Sequence, residues 1–332
     1  MDDVVNLQRP EDESGAMKRR RLPQTDLVVS PIALGAMGFG GSWNDQPVGD
    51  RDLEAAASVL DAALEHGINH IDLADIYTLG KSDQVLGRIF AARSSLRDQF
   101  VVQQKCGIIL PDDSGPKRYD LSHDHIVKAV ELSLARLGTD RIDLLALHRP
   151  DPLVEPEEVA RAFDQLHSAG KVRYFGVSNH SASQLLLLRR FVDQPLVVNQ
   201  LQLSLTHHRM ISAGIEVNTP VTDQGDSAGL LDFCRLHDMT VQAWSPLNCG
   251  RMFDPDYKPR LAAVIDRLAG EIGCAVEAIA LAWLLRHPAG IQPIVGTLKP
   301  ERLARCAEAA EIRLTRCQWY ELLDGARGGD VP

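Results

Sequence analysis

The chain lacks the features that mark several whole classes of protein. It has no run of about 18 apolar residues, so we expect no membrane span. Its six cysteines include no Cys-x-x-Cys pair, a pattern typical of free thiols in a reducing compartment. Lysine and arginine number 35 against 45 acidic residues, and the net charge of −10 argues against nucleic acid or an anionic membrane as a partner.

The N-terminal sequence also lacks the apolar core that a secretory signal needs. Residues 1–16 are acidic and polar, and we expect them to be a disordered extension. These features favour a cytoplasmic protein. The composition, with 45% hydrophobic residues, provides ample material for one large α/β domain, which we place at residues 17–332.

What the chain does have is a repeated alternation of short apolar runs with helical patterns. Several runs are continuously apolar, as strands buried on both faces should be. The runs lie at 31–35, 68–74, 100–105, 142–148, 172–178, 195–201, 239–244 and 291–296. Helical periodicity is found at 52–66, 123–138, 155–169, 181–191, 227–237, 260–272, 276–286 and 300–310.

This βα repeat predicts a parallel sheet, and eight units close naturally into a (β/α)8 TIM barrel. We expect a single domain with an N-terminal strand or hairpin and a C-terminal extension. An open doubly wound sheet is the alternative, and it would normally show G-x-G-x-x-G leading from its first strand into a helix. The stretch "GAMGFGG" at 35–41 contains glycines, but no helix follows directly.

Polar or aromatic residues close nearly every apolar run. In a barrel, the C-terminal ends of the strands meet at one mouth, where the active site lies. Polar groups that converge there must find partners, because burial without a partner is costly. The residues concerned are Asp72, Asp75, Tyr77, Lys105, His148, Ser178, Asn179, Asn199, Gln200, Trp244, Ser245, Gly296 and Thr297.

Four of these residue types suggest one chemistry. A tyrosine has an ordinary pKa of about 10, which a nearby lysine ammonium lowers because it favours the phenolate. An aspartate keeps that lysine charged and oriented, and a histidine donates a hydrogen bond to the reacting oxygen. The set suits protonation of a carbonyl oxygen during reduction, whereas acyl transfer would need an activated Ser or Cys.

The motifs around these residues resemble those of a known family. Seven stretches within residues 18–310 look like the successive motifs of the aldo-keto reductase superfamily. In order, they are "IDLADIY", "QQKCG", "DLLALHRPD", "VRYFGVSNH", "VNQLQ", "VQAWSPL" and "PIVGTLKPERL". Within it the chain looks closest to bacterial predicted oxidoreductases. The resemblance implies a (β/α)8 barrel that binds NADP(H) and reduces an aldehyde or ketone.

Matched by position, the resemblance implies roles for the residues at the mouth. Tyr77 looks like the general acid, Lys105 and Asp72 look like the pair that tunes it, and His148 looks like the residue that orients the substrate. We expect Trp43, in the loop after the first strand, to shape the substrate pocket together with Tyr77 and His148.

The resemblance implies cofactor contacts in the same way. Ser178, Asn179 and Gln200 resemble the groups that hold the nicotinamide carboxamide, and Trp244 falls where the family stacks an aromatic ring on the nicotinamide. The positions that resemble those around the pyrophosphate and the adenosine phosphate are Ser245, Leu247, Gly296, Thr297 and Arg302. Arg302 also stands near the start of the last predicted helix, where free N–H groups and the helix dipole favour a phosphate.

A few residues depart from the family pattern. Cys306 stands where many relatives have an Asn near the adenine, and Arg305 where many have an acidic residue. Gly296 stands where some place a phosphate-binding Lys, for which Lys299 could substitute. NADP(H) is therefore favoured and NAD(H) stays open. Thr78-Leu79 replaces a Gly-Gly pair common in close relatives, which could change the turn that carries Tyr77.

Alternatives from other classes remain to be tested. The same barrel could serve as a redox-sensing regulatory subunit that binds NADP(H) with negligible turnover. A metal hydrolase barrel would need His-x-His after its first strand, which the sequence lacks, and we predict no metal site. His123 and His125 stand at a helix start, where capping or solvent exposure is expected. His207 and His208 lie in a long loop.

Two further expectations concern mobility and partners. Residues 210–224 have little apolar pattern, and we expect a lid or a surface loop there. We expect a small carbonyl or alcohol as the substrate, and a monomer or a weak homo-oligomer.

Overall fold

The computed structural model describes residues 17–216 and 228–332. The extension predicted at residues 1–16 and the later part of the loop predicted at 210–224 fall outside these ranges. The main strands of the described chain are β3 Ala33–Gly35, β4 His70–Asp72, β5 Val101–Cys106, β8 Ile142–Leu147, β9 Val172–Ser178, β10 Leu196–Gln202, β11 Thr240–Trp244 and β12 Gln292–Val295.

These eight strands form a closed parallel barrel in chain order. Each pairs with the next along the chain, and β12 pairs with β3 through Ile294 opposite Ala33 and Val295 opposite Leu34. The pairing of β9 with β10 shifts register between Leu196 and Asn199. The predicted (β/α)8 barrel is therefore confirmed, and each predicted strand is found at its predicted place in the chain.

A short antiparallel hairpin precedes the barrel, formed by β1 Arg20–Arg21 and β2 Val28–Val29. It lies at the N-terminal ends of the barrel strands, where Asn69 Nδ2, next to β4, donates to Val28 O over 2.9 Å. Its apolar residues pack into the lower barrel interior in a cluster made of Leu22, Leu27, Val29, Leu144, Ala146, Val197 and Val198. The hairpin thus covers one end of the barrel, and the polar strand ends lie at the other. A second ribbon, β6 Ile108–Ile109 with β7 Arg118–Tyr119, follows β5.

Helices surround the barrel strands. Their bounds are α1 Asp50–Glu65, α2 Lys81–Ala92, α3 His123–Leu137, α4 Pro156–Ser168, α5 Ala182–Arg189, α6 Arg209–Ile215, α7 Leu230–Leu236, α8 Pro259–Ile272, α9 Val276–Leu285, α10 Pro300–Ala307 and α11 Arg316–Arg327. The predicted helices are present, with ends that differ by a few residues. Helix α3 shows why its ends were readable: Ser122 Oγ accepts from His125 N over 3.4 Å, and Gly138 ends the helix with φ 61°.

Three helices were not predicted: α2, α6 and α11. Helix α2 opens with the polar residues Lys81, Ser82 and Asp83, which are buried, so its apolar stripe begins late in the sequence. Its Gly87 reads as a break, yet it permits close packing, because a Cβ there would lie 2.1 Å from Arg136 O on α3.

The loop predicted at 210–224 is wrong at its beginning. Residues from Arg209 to Ile215 form α6, and its residues Met210, Ile211 and Ala213 are buried. A helix of seven residues spans only two turns, which is too short for a helical pattern of apolar residues to be recognised in the sequence. His208 stands directly before this helix, with its Nδ1 2.5 Å from Ser212 Oγ.

Two kinds of feature are absent from residues 17–216 and 228–332. No single helix within them is long and apolar enough to cross a membrane, although α8 and α9, bent by 96°, pass that test as a pair. No group of three or more His, Cys, Asp or Glu side chains in the same ranges could hold a metal ion. His123 instead contacts Asp124 Oδ1 over 2.8 Å and Gln165 Oε1 over 2.9 Å.

The contact at Gly87 gives a stability prediction. We expect Gly87→Ala to lower the free energy of unfolding by about 1–3 kcal/mol, because the added methyl group forces α2 and α3 apart. Gly270→Ala is the matched control in α8, where a Cβ meets nothing within 4 Å, and it should gain about 0.5–1 kcal/mol. Denaturant unfolding of both variants measures this, and equal effects would contradict the close approach.

Candidate active site

A cleft of about 490 Å³ opens at the C-terminal ends of the barrel strands. Every residue that the sequence assigned to catalysis or to the cofactor lines it, apart from Lys105, which is completely buried beside it. Those lining residues are Asp72, Tyr77, His148, Ser178, Asn179, Gln200, Trp244, Ser245, Leu247, Gly296, Thr297 and Arg302. The barrel thus brings together residues that are up to 230 positions apart in the chain.

An ion pair lies at the centre of the site. Lys105 Nζ, on β5, donates to Asp72 Oδ1, at the end of β4, over 2.6 Å, and both side chains are almost entirely buried. Burial alone would lower the pKa of the Lys105 ammonium, but Asp72 and Tyr77 raise it above its ordinary value. The lysine therefore stays charged, as the sequence predicted, because a carboxylate compensates for its lost hydration.

Tyr77 lies against this pair. Lys105 Nζ is 4.9 Å from the centroid of the Tyr77 ring, and the ring meets His148 edge-on, with centroids 6.0 Å apart. The expectation of a lowered tyrosine pKa is wrong in its net sign: burial raises the pKa of Tyr77 and outweighs the lowering by Lys105. The phenol therefore holds its proton at neutral pH, and the opposing effect of Lys105 is the part of this balance that favours release of the proton.

His148 follows β8 and is a neutral imidazole. Burial, with the positive charges of Lys105, Arg149 and Lys117, lowers the pKa of His148 to about 2. Its backbone N donates to Cys106 O over 2.8 Å, which fixes the residue at the strand end. A neutral ring keeps one N–H donor, so His148 can hold an oxygen without giving up a proton.

The predicted carboxamide-binding residues are linked to one another. Ser178 Oγ donates to Gln200 O over 2.9 Å, and Asn179 Nδ2 donates to Ser178 Oγ over 2.8 Å. Trp244 Nε1 donates to Asn179 Oδ1 over 3.0 Å. This chain of bonds fixes the Trp244 ring at the wall of the cleft.

Left-handed backbone conformations gather around the mouth. Thr78 and Leu79, in the turn after Tyr77, have φ of 48° and 63°, and Asn179 and Ser245 have 62° and 51°. Residues other than glycine pay about 1–2 kcal/mol for this conformation. Thr78-Leu79 therefore adopts a backbone conformation that glycine would favour, and Thr78 Oγ1 stabilises the turn by donating to Tyr77 O over 2.7 Å.

Two arginines lie at the far end of the cleft, and only one of them is paired with a carboxylate. Arg305 donates to Glu277 Oε1 from Nε over 3.2 Å and from Nη2 over 3.1 Å. Arg302, the third residue of α10, lies in its first turn and is exposed, and no carboxylate in the described ranges pairs with it. Cys306 is buried at the cleft, and burial raises the pKa of its thiol to about 12, so the thiol is unreactive.

Trp43 does not line the cleft. Its side chain belongs to an exposed loop, which Lys81 Nζ holds by donating to Ser42 O over 2.7 Å and to Asn44 Oδ1 over 3.2 Å. A role for Trp43 in substrate binding stays a prediction. The cleft instead has Met37 from the same loop.

Sequence reasoning missed Arg149 as a cleft residue. It directly follows His148, and its guanidinium lies 5.8 Å from the centroid of the Trp244 ring. The sequence signal that could have identified Arg149 was its position directly after a histidine that ends a strand. Cys249 and Phe253, from the loop after β11, also line the cleft.

The chain is similar to known proteins over most of its length. The model of the Aldo/keto reductase family matches residues 31–324. An uncharacterised oxidoreductase of Bacillus subtilis is 36% identical over 323 residues, which is 95% of this chain and 100% of that protein. A 6-dehydroglucose reductase of Novosphingobium aromaticivorans is 37% identical over 321 residues, which is 94% of this chain and 97% of that protein.

The fold has solved counterparts as well. An aldo/keto reductase from Klebsiella pneumoniae, in complex with NADP and acetate, superposes with a TM-score of 0.71 at 27% identity. The match covers 92% of this chain and 93% of that structure.

The left-handed turn after Tyr77 gives a second stability prediction. We expect Leu79→Gly to raise the free energy of unfolding by up to about 1 kcal/mol, because glycine removes the strain of φ 63° at a partly exposed position. Leu132→Gly is the control: it is exposed to a similar degree within α3 and should lose about 1 kcal/mol. Thermal unfolding of both variants measures these changes. A lower stability of Leu79→Gly would show that the turn is unstrained.

Proposed function

Because the chain belongs to the aldo/keto reductase family, we propose that it is an NADPH-dependent oxidoreductase that reduces an aldehyde or ketone to an alcohol, with Tyr77 as the general acid. The observation that carries the proposal is the convergence of Tyr77, Lys105, Asp72 and His148 at one mouth, with the Lys105–Asp72 pair at 2.6 Å.

The proton chemistry follows from these contacts. Tyr77 gives its proton to the carbonyl oxygen of the substrate, and the phenolate that remains lies beside the Lys105 ammonium. Asp72 keeps that ammonium charged, so the phenolate is stabilised as it forms. His148, held neutral, donates a hydrogen bond to the same oxygen and orients it. When bound, NADPH supplies the hydride for the carbonyl carbon.

The cleft has groups that fit such a cofactor along its length. Ser178, Asn179 and Gln200 offer amide and hydroxyl groups for a carboxamide, and the Trp244 ring offers an aromatic face. Arg302, with no carboxylate partner in the described ranges, offers a cation for a phosphate near the start of α10. An unpaired arginine at this end supports NADP(H), and NAD(H) is the alternative.

We infer an oxygen-rich carbonyl compound as the substrate. The relative from Novosphingobium is named a 6-dehydroglucose reductase, which points to a hydroxylated aldehyde. The guanidinium of Arg149, beside His148 in the cleft, offers several N–H donors to such a molecule.

Tyr77→Phe tests the proposed acid. We expect the rate of NADPH oxidation by an aldehyde to fall at least about 100-fold, because the phenyl ring has no proton to give. The dissociation constant of NADPH, followed by fluorescence, should change little. Tyr119→Phe, on the exposed ribbon strand β7, is the control and should keep full activity.

Two results would contradict this account. Normal turnover by Tyr77→Phe would remove the assigned acid. Tight NADPH binding by the unmodified chain, without oxidation by glyceraldehyde, hexanal or any other carbonyl tried, would favour the redox-sensing regulatory barrel.

Arg302→Ala tests the choice of cofactor. We expect NADPH affinity to fall about 10- to 100-fold, because a charge-assisted bond to the 2′-phosphate is lost, and NADH affinity to change little. Arg305→Ala, on the same helix but bonded to Glu277, should affect both cofactors alike. Titrations of each variant with both cofactors provide the measurement, and equal losses in Arg302→Ala would refute the phosphate contact.

A further inference from the structure

Four buried glutamines lie inside the barrel beneath the cleft, one on each of β5, β10, β11 and β12. They are Gln103, Gln200, Gln242 and Gln292, and each is at most 3% exposed. Their amides form a continuous hydrogen-bonded series, which we call the amide ladder. Amides this deeply buried are stable only if their donors and acceptors are matched.

The ladder begins at the lower end of the barrel. Gln292 Nε2 donates to Ser30 O over 2.8 Å, next to the N-terminal hairpin. Gln242 Nε2 donates to Gln292 Oε1 and to Gln103 Oε1, both over 2.9 Å. Gln103 Nε2 donates back to Gln242 Oε1 over 2.8 Å. Gln103 and Gln242 are thus joined by a reciprocal pair of bonds.

The ladder ends on the catalytic carboxylate. Gln103 Nε2 donates to Asp72 Oδ1 over 3.0 Å, and Gln200 Nε2 donates to the same atom over 2.7 Å. Together with Lys105 Nζ, three donors meet one oxygen. Gln200 Nε2 also lies 3.3 Å from Gln242 Oε1, so Gln242 holds both amides that reach Asp72.

Both ends of the ladder are acceptors that cannot donate. The backbone carbonyl of Ser30 requires the NH2 group of Gln292, and the ionised carboxylate of Asp72 requires the NH2 groups of Gln103 and Gln200. These ends fix the orientation of every amide between them. Both N–H groups of Gln103 and of Gln242 are used, so neither amide can turn over without losing bonds.

Gln200 connects the ladder to the cleft that it lines. Its Nε2 is engaged by Asp72 and Gln242, whereas its Oε1 has no hydrogen bond within the described ranges. That oxygen can accept from an amide N–H of a molecule in the cleft. One side chain thus contacts both the catalytic carboxylate and the position proposed for the nicotinamide carboxamide.

We propose that Gln103 and Gln242 are positioning residues, which fix the Asp72 carboxylate against Lys105 and hold the Gln200 amide ready for the cofactor; this rests on the proposed function. Gln103 contacts Asp72 directly and reaches Gln200 only through Gln242. Gln242 acts on both Asp72 and Gln200, so it serves the reaction and the binding of the cofactor.

Substitutions of the two residues should therefore have different effects on kcat and on NADPH binding. We expect Gln103→Met to lower kcat about 10-fold or more, because Asp72 loses a donor, and to leave the dissociation constant of NADPH within twofold. We expect Gln242→Met to lower kcat to a similar extent and also to weaken NADPH about fivefold or more, since Gln200 loses its neighbour.

Gln104→Met is the matched control. Gln104 neighbours Gln103 on the same strand and is equally buried, but it faces outwards, where its Nε2 donates to both oxygens of Asp83 and to Ser133 Oγ. Its loss should lower the melting temperature at least as much as the loss of Gln103, with kcat kept within threefold. A kcat that follows the melting temperature across all three variants would overturn the proposal, because the ladder would then only fill space.

Gln103→Glu adds a readout that packing alone would not give. A protonated carboxyl can donate to Asp72 in place of the amide, whereas an ionised one would repel it. We expect the kcat–pH profile of this variant to gain an additional fall with rising pH, at a lower pH than the fall that ionisation of Tyr77 gives in the unmodified chain. Other groups that titrate nearby, namely His70, Tyr77, Asp75 and His148, are present in both proteins, so the profile of the unmodified chain is the reference for the variant. Parallel profiles would count against the ladder.

Failure of the proposed function would be visible separately. If the unmodified chain reduces no carbonyl, that function has failed, and the ladder is judged on NADPH fluorescence titrations alone. Weaker binding by Gln242→Met and unchanged binding by Gln103→Met and Gln104→Met would still support it. Equal affinity in all three variants would overturn it.

Discussion

The ion pair between Lys105 and Asp72 is the constraint that shapes the rest of the site. A completely buried ammonium is stable only with a carboxylate at hydrogen-bond distance, and a buried carboxylate needs further donors of its own. The barrel interior therefore divides into two regions. One region holds the amides that run from Ser30 to Asp72, and the other is the apolar cluster against which the hairpin packs. Tyr77 and His148 take their properties from this buried charge and from their own burial.

Much of the architecture could be predicted because its signals are local. Buried parallel strands are short and apolar, and polar residues follow at their C-terminal ends. The sequence therefore predicts the positions of Asp72, Lys105 and His148 at the mouth of the barrel. Helix α2 was not, because its first turn buries Lys81, Ser82 and Asp83 against other elements. That burial depends on partners distant in sequence, which no periodicity reports.

Other properties of the site depend on balances that only geometry resolves. Lys105 does favour the Tyr77 phenolate, but burial acts more strongly in the opposite sense, and sequence gives no measure of either. Likewise "VVQQKC" does not say which glutamine faces inwards. Alternation along β5 sends Gln103 to Asp72 and Gln104 to Asp83, so two identical neighbours have unrelated partners. Thr78 and Leu79 keep a glycine-like turn, which a substitution alone would not suggest.

The division between strands and loops has a consequence for how this protein can change over generations. Asp72, Lys105 and His148 stand on strands or directly after them, and Asp72 is bonded across the barrel interior to Lys105 and Gln200. Arg149, Cys249 and Phe253 reach the same cleft from loops. Loop residues tolerate replacement far better than a fully bonded interior. Inherited variation can therefore alter which molecules are accepted while the reaction itself is conserved.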